Sequence, residues 1–207
     1  MDFPHPFLSQ MIDPNAVVHP SASVDPTAAV ASGAMVGHAA TIGAHARIGS
    51  DAIIRPGASV REHGVVGRNV EIGERTIVGP GTEVRKDSRI RSDVVLGVRV
   101  VVENRVTVGP GTHVADGVTL GTRSSVWEAV TVGRDVTVGP RSMVAPAVRI
   151  DSGVAIGTKV VVEGAAHIGP CARIGSRARI GREARIGRGV IIRPDEQVPD
   201  KARRDAT

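Results

Sequence analysis

Every sixth residue from Ile12 to Val198 is Val, Ile or Leu, thirty-two positions without a miss. Such a beat is neither the 3.6-residue period of a helix nor the simple alternation of a strand. It suits a chain that turns a corner every six residues and points one large aliphatic inward on each side. A fixed internal repeat dictates architecture, and the pattern predicts short strands, one per repeat, each ending at a corner.

The other repeat positions support this reading. Counting the aliphatic as i, position i+1 is Gly in half the repeats, and i+2 holds ten of the thirteen prolines. Both are turn residues, because Gly relaxes φ and Pro fixes it. Position i+4 is small, as at Ala28, Ala46, Thr82 and Ala172. Strand side chains alternate faces, so i and i+4 of the preceding repeat point inward together. Three sides close a triangular coil of eighteen residues, and residues eighteen apart stack at about 4.8 Å. Ten to eleven coils then form a prism roughly 50 Å tall. The unbroken phase implies one elongated β-domain, 12–198, with no inserted loops. Residues 1–11, carrying Phe3 and Phe7, are expected to fold over the first coil as a cap. Residues 199–207 are expected to be a charged tail that keeps the last strand edge soluble.

Composition narrows the function classes. Aromatic residues make up 1% of the chain, as a narrow core of stacked Val and Ile allows. Cys171 is the only cysteine, so no intramolecular disulfide framework exists. The start, MDFPHPFLSQ, has no basic segment followed by an apolar run, and no stretch is long and apolar enough to span a bilayer. A cytoplasmic location is the expectation. Net charge is +5, with 21 acidic residues interspersed among the basic ones. That balance favours small anionic, phosphate-bearing ligands over nucleic acid. No Walker loop, dinucleotide fingerprint or zinc-finger spacing is present.

Reading the chain in columns eighteen apart brings out one unusual set: Arg105, Arg123, Arg141, Lys159 and Arg177. All stand at i+3 of one corner, and Asp51, Asn69 and Asp87 precede them in the same column. Stacked like charges repel. Two explanations stay open: an anion-binding track, and a solvated ridge whose long side chains splay and cover apolar surface. A second corner is smooth (Gly111, Ala129, Ala147, Ala165), which suits close approach of another prism. His45 and His63 are eighteen apart and should stack at the third corner, with Glu62 beside them. Trp127 is expected to point outward.

The repeat consensus is Leu/Ile/Val, then Gly/Ala/Glu/Asp, two free positions, Ser/Thr/Ala/Val and one free position. Together with stretches such as TIGAHARIGSDAIIRPGASV and HIGPCARIGSRARIGREARIG, it resembles the hexapeptide-repeat acyltransferase superfamily. The likeness is closest to bacterial enzymes that acylate sugars and nucleotide-linked sugars. The resemblance implies a left-handed parallel β-helix, although the general rule for parallel crossovers gives the opposite hand. It implies a homotrimer with sites in the clefts between prisms. It also implies transfer of an acyl group, with acyl-coenzyme A as co-substrate and no tightly bound cofactor. His63 or His45 would be the general base, helped by Glu62, and the basic column would hold phosphates. An uninterrupted chain departs from relatives that project a loop into the neighbouring subunit. A non-catalytic scaffold or self-assembling module that binds an anionic partner therefore stands as the alternative. A third reading, a metal site like that of γ-class carbonic anhydrases, lacks the required spacing: His38 and His45 are seven apart rather than five, and zinc needs at least three protein ligands.

Overall fold

The computed structural model describes residues 11–205. It contains thirty-two two-residue strands at six-residue spacing, from β1 (Val17–Val18) to β32 (Arg203–Arg204), and among the described residues there is no helix. The strands form three parallel sheets. The first holds every third strand beginning with β1, and has eleven strands. The second begins with β2 (Ser23–Val24) and has eleven. The third begins with β3 (Ala29–Val30) and has ten. Register is eighteen throughout, as in Val17↔Met35 and Ile72↔Ile90. Ile12 adds a single bridge to Val30. The sheets are called faces 1, 2 and 3 below, and the corners are named by the faces they join.

Core and corner are separate devices. The aliphatic at i and the small residue at i+4 are buried along nearly the whole prism, as at Ile54, Ala58 and Val60. In the middle coils the small position is often hydroxylated. Thr82 is fully buried; its Oγ1 donates to the Gly97 carbonyl at 2.7 Å and accepts from the Val100 amide at 3.0 Å. The hydroxyl thus sits inside the turn of the next coil and links two buried backbone groups that would otherwise be costly. Ser88 and Ser142 do the same. Ser124 is the exception, since its buried Oγ has no partner.

From Gly33 to Lys201, every residue at i+3 has positive φ, between 52° and 71°. Most are not glycine, and an L-residue there costs about 1–2 kcal/mol. Stacking offsets this cost: the Arg123 amide, for example, donates to the Asn104 carbonyl one coil below at 3.0 Å. The corners before Gly33 use another device, in which Asp13 and Asp25 side chains accept from the amides of Asn15 and Thr27 at 2.9 Å.

The expected cap, residues 1–11, falls outside the described residues except for Met11. At the other end the coil runs further than the aliphatic beat. Residues 199–204 complete another side, and β32 pairs with Arg185–Ile186 although Arg203 and Arg204 replace the apolar pattern. Backbone pairing to the coil below is enough to hold this side in place, so the expected tail 199–207 is in large part coil.

Candidate functional site

The basic column stands on corner 3/1. Arg105, Arg123, Arg141, Lys159 and Arg177 all occupy the positive-φ position, with φ between 57° and 63°. They therefore leave the backbone in the same direction, one above another. If charged ends kept the rung spacing, each neighbouring pair would repel by about 0.9 kcal/mol in water. The ends of the column are neutralised. Arg177 makes a bidentate ion pair with Asp195, which holds that carboxyl below its ordinary value. Arg105 lies 3.7 Å from Asp87, whose carboxyl is lowered first by the Asn69 side-chain amide and then by Arg105. Arg123, Arg141 and Lys159 have no carboxylate partner among the described residues. An open concavity of about 520 Å³ lies here, lined by Lys86, Asn104, Arg105, Thr122, Arg123, Pro140, Arg141 and Thr158.

His45 and His63 stand on corner 2/3. Their rings stack, with centroids 5.1 Å apart and planes at 20°. Arg47 and Val65 complete a shallow concavity of about 390 Å³ with them. Glu62 makes no hydrogen bond to either ring, because its i+2 position leads away from the i+3 column. Between His63 and Arg123 the coil rises by more than three turns, roughly 16 Å. A single prism therefore does not bring the histidine pair and the unpaired cations together.

A third arrangement was not apparent from columns eighteen apart. On face 2, His167 Nε2 lies 2.8 Å from Asp151 Oδ2, and Arg149 Nε donates to Asp151 Oδ1 at 3.0 Å. Burial pushes the Asp151 carboxyl up, but the hydrogen bonds from His167 and Arg149 outweigh that and hold it below its ordinary value. When Nε2 carries the proton of a neutral ring and donates to this carboxylate, Nδ1 is the nitrogen left to accept a proton. The sequence signal was an offset of sixteen, which makes outward residues on adjacent strands diagonal neighbours. The same offset joins Arg55 to Glu71 and Arg179 to Glu163. Trp127 is exposed on corner 1/2 beside the small residues. Within one chain, no three His, Cys, Asp or Glu side chains among the described residues converge as a metal site would require. No helix among them is long and apolar enough to cross a membrane.

Comparison with known proteins agrees with this geometry. The family model of the GMPPB C-terminal domain matches residues 12–108, and that of the hexapeptide repeat of succinyl-transferase matches residues 129–165. The sequence matches no curated protein. Among solved structures, UDP-N-acetylglucosamine O-acyltransferase of Moraxella catarrhalis is similar with a TM-score of 0.68 and 21% identity, over 82% of this chain and 70% of that one. An Arabidopsis UDP-N-acetylglucosamine acyltransferase is similar with a TM-score of 0.57 and 18% identity, over 94% of this chain and 71% of that one. At these identities the likeness is one of fold. Six-residue repeats, eighteen-residue register and three parallel faces, with the hexapeptide-repeat match over residues 129–165, show a parallel β-helix similar in fold to these solved structures.

Proposed function

We propose that this chain transfers an acyl group from a coenzyme A or carrier-protein thioester to an amine or hydroxyl of a phosphate-bearing sugar. His167 is the base. Its Nδ1 takes the proton as the nitrogen or oxygen attacks the thioester carbonyl, and the proton then passes to the leaving thiolate. Asp151 holds the ring in the required tautomer. The unpaired cations of corner 3/1 bind the phosphates.

The observation that carries this reading is height. His167 and Lys159 are separated by less than half a coil, about 2 Å of rise. His45 and His63 lie level with the acidic part of the column instead, near Asp51 and Asn69. Face 2 and corner 3/1 are on opposite sides of one prism, so a site that uses both needs a neighbour. A homotrimer of side-by-side prisms, related by an axis parallel to the prism axis, preserves height. It would set His167 of one protomer level with Lys159 of the next.

The test is incubation with acyl-coenzyme A and a sugar phosphate acceptor. Ligand at about 100 times its dissociation constant should stabilise the fold by about 2.7 kcal/mol. His167→Ala should lower turnover by about a hundredfold or more, while the His45→Ala/His63→Ala double variant should retain it. No stabilisation by any acyl-coenzyme A, together with no turnover of any acyl-carrier-protein thioester, would refute the reading. A scaffold is the second reading, favoured by a coil that runs from Ile12 to Arg204 without an inserted loop. It predicts light scattering that grows at low salt and falls at high salt.

A further inference from the structure

The column on corner 3/1 is bounded, and its bounds carry information about ligand length. Three successive rungs, Arg123, Arg141 and Lys159, are without carboxylate partners among the described residues, and Arg105 is held only loosely. Below them the column turns acidic at Asp87 and Asp51. Above them Arg177 is taken up by Asp195. A long polyanion lying along this corner would run into carboxylates at both ends. A short one would not. The open run covers two rung intervals, about 10 Å, extending to about 14 Å if Arg105 takes part.

Two further features favour phosphoryl groups over a single diffuse anion. The concavity alongside the rungs includes Thr122 and Thr158, whose hydroxyls can donate to phosphoryl oxygens between successive guanidinium groups. Arginine also presents a planar fork of donors suited to bidentate contact with phosphate. Like backbone conformation at each rung sends Arg123, Arg141 and Lys159 off the corner in the same direction, so successive phosphoryl groups of a linear chain each meet a cation.

We propose that this corner is a site for a linear oligophosphate, two to three phosphoryl groups long, laid parallel to the prism axis. The proposal rests on the role given to the column above, and it goes further by specifying chain length and orientation. A ligand that carries its phosphates as a di- or triphosphate fits the run. A monophosphate engages one rung, and a polyphosphate overshoots into Asp87 and Asp195.

Calorimetric titration of the full chain with orthophosphate, pyrophosphate, tripolyphosphate and long-chain polyphosphate, at one low ionic strength, tests this. Tripolyphosphate should bind at least about tenfold tighter than orthophosphate. Long-chain polyphosphate, compared per molecule, should gain no more than about threefold over tripolyphosphate. Arg141→Gln should weaken tripolyphosphate about tenfold. Arg99→Gln, which changes a cation with the same positive φ on corner 2/3, should leave it unchanged. Equal affinity for orthophosphate and tripolyphosphate, a steady gain with polymer length, indifference to Arg141→Gln, or no binding would each overturn the proposal. Because no turnover is measured, the result is independent of catalysis. Intact length selection without acyl transfer defeats only the enzymatic reading, and acyl transfer without length selection defeats only this one.

Discussion

Two glycines on corner 1/2, two residues apart, should respond to alanine for different reasons. At Gly109 an added Cβ would lie 2.5 Å from the Glu128 amide nitrogen and 2.5 Å from the Trp127 carbonyl carbon. Both atoms belong to the next coil's backbone. That coil is held by the Gly109 amide on the Val126 carbonyl at 2.7 Å and by the Trp127 amide on the Val144 carbonyl at 2.9 Å. Ordinary contact begins near 3.4 Å, so the coils must part by close to an ångström locally. The cost is lost packing and stretched hydrogen bonds in two coils, about 3 kcal/mol. Gly111 has φ +65° and nothing within 4 Å of an added Cβ. Gly111→Ala therefore pays only for the left-handed conformation, about 1–2 kcal/mol, less the reduced freedom of the unfolded chain, about 0.4–1 kcal/mol. The net is about 1 kcal/mol. Urea denaturation followed by circular dichroism and by fluorescence of Trp127, the sole tryptophan, separates the two. Equal losses for both variants, or a larger loss for Gly111→Ala, would refute the reasoning that the approach of the next coil demands glycine at position 109.

Other consequences follow from the same structure. Thr82→Val should cost about 1–2 kcal/mol by stranding the Gly97 carbonyl and Val100 amide, whereas Ser124→Ala, which removes a hydroxyl without a partner, should be neutral or slightly stabilising in the same denaturation assay. Arg141→Gln removes a like charge between two others and should raise stability by up to about 1 kcal/mol at low ionic strength, a gain that should vanish in concentrated salt when melting is measured at both. The carboxyls of Asp93, Asp151 and Asp195 lie below their ordinary values. Their contribution is complete above the usual carboxylate range and is lost as pH falls through the lowered values. The melting temperature should therefore hold from neutral pH down to about pH 4 and decline below it. Asp93→Asn, which breaks a bidentate pair with Arg75, should make that decline shallower.

Much of the fold was legible because a β-helix is nearly one-dimensional: each coil buries its aliphatics only against its neighbours, so local period and global architecture coincide. Ile12 to Val198 announced the core, and the eighteen-residue stack made Arg123, Arg141 and Lys159 vertical neighbours by spacing alone. The stacked rings of His45 and His63 followed from the same spacing. Pairing of charges did not. Which cations of the column remain free depends on where side chains such as Asp87, Asp195 and Asn69 point, and the diagonal contact of Asp151 with His167 depends on the outward alternation of adjacent strands. The run past Val198 through Arg203–Arg204 was also invisible in the apolar pattern, since backbone hydrogen bonds to the preceding coil hold it without an aliphatic. Periodicity determines what is common to every repeat. What distinguishes one repeat from another, and so where chemistry can occur, arises from side-chain directions and partners that only the assembled prism defines.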